Sequence, residues 1–253
     1  MISHRALYVW RRNFTVYSTY FKASLVGNIG EPLLYLFAMG FGLGGYITEM
    51  NGVSYIDFIA PGLLVTSAMH SATFECTFGS FTRLTGQRTF DSILATPVSL
   101  PDLVFGEITW GMTKSVISGT VMLVVMVMFG IYEPSAGILA ILPLIALAGY
   151  VFASAALCCT ALSPSYEFFH YYFVLFIAPM FFLSGVFFPL DRFPAAVQWL
   201  SLGLPATYSV SLVRHFFHGT SSIPIAPALI FLLTLGAALT WLSIRLMKKR
   251  LVV

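Results

Sequence analysis

The stretch from Phe81 to Glu107, FTRLTGQRTFDSILATPVSLPDLVFGE, places a string of polar and charged residues between two long apolar runs. Within it, Arg83, Gln87 and Asp91 are spaced i, i+4 and i+8, so a helix would carry all three on one face. Another face of the same helix would carry the apolar residues Phe90, Ile93 and Leu94. The pattern therefore predicts a short two-faced helix between the two apolar runs.

Two prolines limit the length of this element. Pro97 and Pro101 each disfavour helical backbone at the preceding residue, so the helix should end before the second apolar run begins. An ordinary solvated loop is one interpretation of residues 82–102. The stiff, two-faced pattern favours the other interpretation, a docking surface for a partner protein.

The composition places the whole chain in a membrane. Charged residues make up 9% of the 253 residues, and hydrophobic residues make up 58%. A soluble domain carries about 25% charged residues, so lipid must cover most of this chain. The net charge of +3 gives no indication of nucleic-acid binding, because the basic residues cluster at the ends of the apolar runs. The three cysteines are predicted to be small core residues: Cys76, Cys158 and Cys159.

The apolar runs are long enough to cross a bilayer. A spanning helix needs about 20 apolar residues, and six runs meet this length. We therefore predict an all-α integral membrane protein in which residues 1–253 form a single transmembrane domain. The six predicted spans lie near Leu25–Ile47, Phe58–Phe81, Leu103–Phe129, Ile138–Leu162, Phe168–Phe188 and Ile223–Leu246.

The distribution of lysine and arginine between the loops predicts the orientation of these spans. The N-terminal segment, the loop with Arg83 and Arg88, and the C-terminal tail are basic, whereas Thr48–Asp57 and Ile131–Gly137 contain neither lysine nor arginine. Both termini and the loop between spans two and three are therefore predicted to be cytoplasmic.

The N-terminal segment, residues 1–23, is predicted to be an amphipathic helix on the membrane surface. Its aromatic residues recur at helical spacing: Trp10, Phe14, Tyr17 and Phe21. Basic residues flank this stripe, among them Arg11 and Arg12. Aromatic rings with basic neighbours suit the headgroup layer, so membrane lipid is an expected partner.

The segment before the last span, residues 189–219, is half apolar but interrupted by Pro189, Pro194 and Pro205. A soluble loop would be more polar, and a seventh span would be less broken. We predict short helices that dip part way into the outer leaflet, because irregular backbone at that depth must be buried in protein or line a cavity.

No catalytic or cofactor site is indicated. Residues 106–115 resemble a phosphate-binding loop, but the spacing from Gly111 to Lys114 is wrong for one. His215 and His218 have no carboxylate or cysteine near them in sequence, which makes them a poor metal site. We expect no enzyme activity, cofactor or metal in this chain.

Charges inside predicted spans cost several kcal/mol unless they are paired or hydrated. Glu75 in span two and Lys114 in span three lie at similar depths on antiparallel neighbours, so we predict that they pair. Glu31 and Glu107 lie near span ends and are expected to reach the interface. A proton-coupled carrier that uses Glu75 and Lys114 is an alternative, although carriers usually show inverted repeats that we do not find here. A lipid-modifying enzyme would need a polar catalytic cluster that the sequence lacks.

The chain resembles the permease subunits of type-2 ABC exporters, and the resemblance covers nearly its whole length. The central stretch GQRTFDSILATPVSLPDLVFGE is its most specific part. The other matching segments are WRRNF at Trp10–Phe14, EPLLYLF at Glu31–Phe37, GVSYIDFIAPGL at Gly52–Leu63, SAMHSATFE at Ser67–Glu75, ALSPSYEFFHYY at Ala161–Tyr172 and MFFLSGVFFPLDRFP at Met180–Pro194.

The resemblance implies two permease copies, expected to be a homodimer, with two separate ATPase subunits that bind ATP and Mg²⁺, in a bacterial inner membrane. It implies a coupling helix between spans two and three, and re-entrant helices before span six. The ATPase-coupling residues expected from it are Arg83, Gln87, Arg88, Asp91 and Leu94. The implied cargo is amphipathic, such as a lipo-oligosaccharide or lipid-linked glycan; a drug or antibiotic is the alternative.

Overall fold

The computed structural model describes residues 2–47, 49–50, 52–133, 137–219 and 223–251. The side chain of Glu31, which was predicted to reach the interface, lies outside this description. The described chain is almost entirely helical, with one two-stranded hairpin formed by β1 (Glu49–Met50) and β2 (Val53–Ser54). The main helices are α1 (Ala6–Tyr35), α2 (Tyr55–Phe74), α3 (Thr89–Leu94), α4 (Leu100–Met128), α5 (Ile138–Leu162), α6 (Glu167–Tyr172), α7 (Ala178–Leu183), α8 (Ala195–Leu202), α9 (Pro205–His218) and α10 (Ile225–Leu251).

Several of these helices continue as short stretches of other helical types. The π-helical stretches are Leu36–Gly42 after α1, Glu75–Gly79 and Thr82–Gly86 after α2, and Phe173–Ile177 between α6 and α7. Within the described ranges, two 3₁₀ turns occupy Leu43–Gly45 and Leu190–Arg192.

Three helices in the described residues are long and apolar enough to cross a membrane: Leu100–Met128, Leu139–Leu162 and Ile225–Leu251. Two shorter apolar helices occupy Leu33–Gly45 and Glu167–Leu183. The predicted span two, Phe58–Phe81, overlaps α2 and the π-helical stretch after it, and every residue of α2 from Phe58 to Met69 is buried. Because the protein itself covers α2, this helix can carry polar residues that a lipid-facing helix would avoid. The count of six spans stays a prediction.

Helix α1 differs from the separate surface helix expected over residues 1–23. It runs on to Tyr35 with a kink at Tyr20, where φ is −123° and ψ is 20°. Its buried residues follow a different stripe from the predicted aromatic one: Ala6, Val9, Asn13 and Tyr17. Of the predicted stripe, Tyr17 is buried, Trp10 is half-buried, and Phe14 and Phe21 are exposed.

Gly106 on α4 explains why the face of α1 that contains Ala6 and Val9 is the buried one. At Gly106, an added Cβ would lie 2.6 Å from the Cβ of Val9 and 2.8 Å from the carbonyl oxygen of Ala6. The two helices therefore approach more closely than side chains would otherwise permit. Trp10 contributes at the edge of the contact, where its Nε1 donates a hydrogen bond of 2.8 Å to Thr113 Oγ1.

The segment between α2 and α4 is not one continuous helix, so the shared face predicted for Arg83, Gln87 and Asp91 is wrong. The break lies at Arg88, whose φ of 51° is in the left-handed region. Arg83 therefore belongs to the π-helical end of α2, whereas Asp91 belongs to α3. Left-handed backbone is uncommon for residues other than glycine and stops a right-handed helix locally.

Helix α4 begins where the prolines predicted a new element. Ser99 caps its N-terminus, because Ser99 Oγ accepts from the backbone N–H of Asp102 at 3.4 Å. Asp102 Oδ2 accepts in return from the backbone N–H of Ser99 at 3.2 Å, which completes a capping box. Pro101 lies in the first turn, where its missing N–H leaves no hydrogen bond unmade.

The segment over residues 189–219 contains the short helices α8 and α9, as its prolines predicted. Helix α9 is buried on all sides over residues 209–214, and Arg214 is the last residue of this buried stretch. The Arg214 guanidinium donates to Gly185 O at 2.8 Å and to Phe58 O at 3.3 Å, and it lies 4.2 Å from the ring centroid of Phe58. How deep these helices lie in the outer leaflet stays a prediction.

One end of the bundle gathers the start of α1, residues 82–102 around α3, the loop before α6 and the end of α10. Hydrogen bonds join these parts. Arg5 Nη1 donates to Pro97 O, Ser3 N donates to Asp102 Oδ1 at 2.5 Å, Thr82 Oγ1 lies 2.9 Å from Tyr166 OH, and Arg250 Nη1 donates to Ser163 O at 2.5 Å. The segments that were predicted to be cytoplasmic thus lie at one end. The side of the membrane on which this end lies stays a prediction.

Candidate functional site

A cluster of buried charged residues lies at the end of α2, directly before residues 87–94, which we call the α3 segment. Arg83 is its centre. The Arg83 guanidinium donates through Nη1 to Glu75 Oε1 at 2.9 Å, and through Nη2 and Nε to Glu107 Oε2 at 2.7 and 3.0 Å. The Arg83 side chain is 11% exposed. One guanidinium therefore joins a carboxylate on the π-helical continuation of α2 to a carboxylate on α4.

Glu107 is the most buried member of this cluster, with 1% of the residue exposed. Besides Arg83, it accepts hydrogen bonds of 2.7 Å from Asn13 Nδ2 and from Ser80 Oγ. Four donor atoms on three neighbouring residues thus satisfy its two oxygens. Because Asn13 belongs to α1, the cluster also ties α1 to α2 and α4.

The burial of Glu107 contradicts the expectation from the sequence, which was that this side chain reaches the membrane interface. The expectation considered only the distance from the start of α4. Burial arises because α1 covers this part of α4, and the contact with Asn13 joins residues 94 positions apart. Nothing in the local sequence signals such a contact.

The predicted pair of Glu75 and Lys114 is brought together by the structure. Lys114 Nζ lies 4.0 Å from Glu75 Oε2, and also 4.0 Å from the ring centroid of Tyr17. The shorter contact of Glu75 is nevertheless with Arg83, at 2.9 Å, a residue that was predicted to contact the ATPase. Lys114 is therefore the peripheral cation of the cluster, and Arg83 is the central one.

Because Gly79 has no side chain, the Glu75 carboxylate can lie against its backbone. A Cβ at this position would lie 2.8 Å from Glu75 Oε1 and 3.4 Å from Arg83 Nη1. Glu75, Gly79 and Arg83 are spaced i, i+4 and i+8, which places them on one helical face. This spacing of acid, glycine and base was the available sequence signal for the Glu75–Arg83 ion pair.

A cavity of about 470 Å³ opens beside the cluster, between α1 and the end of α2. Arg12, Glu75, Arg83 and Lys114 contribute charged side chains to its lining, and Gln87 contributes an amide. Burial and the neighbouring charge of Arg83 lower the pKa of Arg12 from its usual value. An arginine remains protonated at any physiological pH, so the cavity has a net excess of positive groups.

The α3 segment is the exposed part of this end. Arg88 and Asp91 form an ion pair at 3.5 Å, and their side chains are 81% and 54% exposed. Phe90 is buried, so it anchors α3 to the bundle. Leu94 is half-buried and Gln87 is exposed. Of the five residues expected to contact an ATPase, four lie in this exposed segment, whereas Arg83 lies beneath it.

No group of three histidine, cysteine, aspartate or glutamate side chains in the described chain could hold a metal ion. His218 of α9 instead contacts the backbone, with Nε2 at 2.9 Å from Asp57 O. The three cysteines are buried and free, as predicted.

Comparison with known proteins assigns the chain to a family. The family model described as "ABC-2 type transporter" matches residues 5–218. The chain is 40% identical to Nodulation protein J of Rhizobium meliloti (strain 1021), over 96% of this chain and 92% of that protein. It is 43% identical to Nodulation protein J of Rhizobium leguminosarum bv. viciae, over 82% of this chain and 80% of that protein.

A more distant relative is named as a transport permease. The chain is 24% identical to the inner membrane transport permease YadH of Escherichia coli (strain K12), over 86% of this chain and 84% of that protein. The range matched by the family model contains the helices that hold the buried cluster and the exposed α3 segment. The chain belongs to the ABC-2 type transporter family, as a membrane permease.

Proposed function

We propose that this chain is the permease subunit of an exporter that is driven by a separate ATPase. The observation that carries this proposal is the exposed α3 segment, which projects from the end of the bundle where Arg88 and Asp91 are accessible to a partner. A permease of this family needs an external source of energy, and a protein surface that is polar at its rim and anchored by one buried aromatic suits docking. Two ATPase subunits and two permease copies form the proposed assembly, with both termini in the cytoplasm.

The buried cluster gives the docking surface a connection to the rest of the bundle. The backbone passes from Arg83 through Gln87 and Arg88 directly into α3. Any displacement of α3 therefore acts on the end of α2, where Arg83 holds Glu75 and Glu107. We infer that ATP-driven movement of the partner shifts α1, α2 and α4 together through this cluster.

The proposed cargo is amphipathic, such as a lipo-oligosaccharide or a lipid-linked glycan, which leaves the cytoplasm or the inner leaflet. The stretch from α6 through α7, including the π-helical residues between them, presents exposed aromatic and aliphatic side chains: Tyr171, Leu175, Phe176 and Phe182. These side chains suit a second permease copy, lipid or acyl chains of the cargo. A drug or antibiotic is the alternative cargo on the same scaffold.

Charge reversal on α3 tests this proposal. Arg88→Glu and Asp91→Arg, each made alone, should remove co-purification with the ATPase and abolish ATP-driven export. Each variant should still yield monodisperse protein in detergent, because both side chains are exposed. Arg192→Glu is the matched control, since Arg192 is an exposed arginine in the segment before α8.

Two outcomes would contradict the proposal. Full ATP-driven export with normal co-purification in both α3 variants would show that α3 does not dock the motor. Export that follows a proton gradient and continues without ATP would instead support a secondary carrier.

A further inference from the structure

The cavity between α1 and the end of α2 has an unusual balance of charge. Three cations contribute to its lining: Arg12, Arg83 and Lys114. Glu75 is the one carboxylate among its described lining residues, and Glu107 lies behind Arg83. Three cations against these two carboxylates leave a net charge of +1 at a site enclosed by helices.

The two carboxylates are engaged within the cluster. Glu107 accepts from Asn13, Ser80 and Arg83, and Glu75 accepts from Arg83 with Lys114 nearby. Arg12, in contrast, donates to the amide oxygen of Asn13 at 3.0 Å and forms no ion pair among the described residues. Its guanidinium has five N–H donors, so donors remain for a ligand in the cavity.

The mouth of the cavity differs in character from its charged interior. The exposed lining residues are Val16, Tyr20, Phe74 and Gln87, so three of the four are apolar or aromatic, and Phe74 is 59% exposed. Tyr20 stands at the kink of α1, where the helix changes direction beside the opening. Cationic groups inside and apolar or aromatic groups at the rim match a ligand with a charged head and an apolar chain.

We propose that this cavity binds the anionic, phosphate-bearing headgroup of an amphiphile. Phosphate oxygens accept hydrogen bonds from guanidinium, ammonium and hydroxyl groups, which Arg12, Lys114 and Tyr20 supply here. The acyl chain would leave past Val16 and Phe74 toward the lipid. This inference is independent of the export assignment, because binding requires neither ATP nor the partner.

Lipid titration of the delipidated, full-length protein in detergent tests this inference. Binding of dioleoyl phosphatidylglycerol and of dioleoyl phosphatidylcholine is measured by native mass spectrometry. We expect phosphatidylglycerol to bind at least about tenfold more tightly, which corresponds to one additional charge-assisted hydrogen bond or more. Arg12→Gln should remove most of this preference, and Arg12→Lys should keep part of it.

Two further comparisons separate the cavity from general surface attraction. Arg11→Gln removes the same charge from the exposed neighbouring position and should change the affinity by less than about twofold. Val16→Asp places a carboxylate at the mouth and should weaken phosphatidylglycerol binding, whereas Val16→Asn of nearly equal size should not. Since Val16 is exposed, this pair remains informative even where Arg12→Gln fails to fold.

Inorganic pyrophosphate as a competitor distinguishes the two sources of such an anion. Displacement of phosphatidylglycerol by pyrophosphate at similar concentration identifies a site for soluble phosphates, and resistance to displacement identifies a lipid headgroup site. Equal binding of the two lipids by the unmodified protein would overturn the inference. An equal loss of affinity in Arg11→Gln and Arg12→Gln would also overturn it.

Discussion

Replacing Arg83 by methionine is the most direct test of the buried cluster. The substitution keeps much of the side-chain volume but removes three hydrogen bonds to carboxylate oxygens, at 2.9, 2.7 and 3.0 Å. Glu107 would keep Asn13 and Ser80 as donors, and Glu75 would keep Lys114 at 4.0 Å. Two buried carboxylates would then share one peripheral cation.

The expected magnitude follows from the burial of these groups. Removing one partner of a buried ion pair costs about 3–5 kcal/mol, because the remaining charge is stranded away from water. Lys114→Met should cost less than Arg83→Met, because Glu75 keeps its 2.9 Å contact with Arg83. Neutralising Glu107 as well, in Arg83→Met/Glu107→Gln, should recover a large part of the loss.

The assay is a double-mutant cycle on the thermal stability of the detergent-solubilised protein, with the yield of monodisperse protein as a second measure. Arg88→Met is the matched control, since this arginine is exposed and lies five residues away. We expect a coupling energy between Arg83 and Glu107 of more than about 1 kcal/mol, and a smaller one between Glu75 and Lys114. Additive effects of Arg83→Met and Glu107→Gln would refute the cluster as described.

Three further predictions concern other parts of the molecule. Gly79→Ala should destabilise the protein by about 1–3 kcal/mol, because the new methyl group would meet the Glu75 carboxylate at 2.8 Å. Gly44→Ala is the control and should be neutral, because no atom lies within 4 Å of the added methyl group. Thermal melting of the two variants measures the difference. Ser92→Cys should react with a membrane-impermeant maleimide from the cytoplasmic side and Ala196→Cys from the outside, and labelling of both from one side would contradict the predicted orientation. Arg214→Met should lower the melting temperature, because it frees two carbonyl oxygens that the guanidinium satisfies, and an unchanged melting temperature would show that these contacts contribute nothing.

The parts of the fold that follow from local chemistry could be predicted from the sequence. Long apolar runs identified the long helices, prolines located the start of α4, and the interrupted pattern of residues 189–219 indicated short helices. The rarity of charges in apolar helices singled out Glu75 and Lys114, which the structure brings within 4.0 Å. In each case the signal lies in neighbouring residues and needs no tertiary contact.

The parts that depend on packing could not be predicted in this way. The left-handed backbone at Arg88 occupies a position where neither glycine nor asparagine signals a turn, so a continuous helix was the natural expectation. The face of α1 that is buried depends on Gly106, which is 97 positions from Val9. Arg83 faces inward because α4 presents Glu107 to it, and this pairing is a property of the folded bundle.

The charged residues of this buried cluster contribute more to the relative positions of the helices than to the stability of the folded protein. A well-packed apolar core of the same volume would be about as stable, because desolvation offsets much of the attraction in a buried ion pair. A planar guanidinium that donates to carboxylates on two helices, however, accepts few arrangements of those helices. Arg83 thus defines how the end of α2 sits against α4, while Glu107 and Asn13 define how α4 sits against α1. Helix α3 begins six residues after Arg83. The helix proposed to be moved by the ATPase is therefore attached directly to the cluster that fixes the relative positions of α1, α2 and α4.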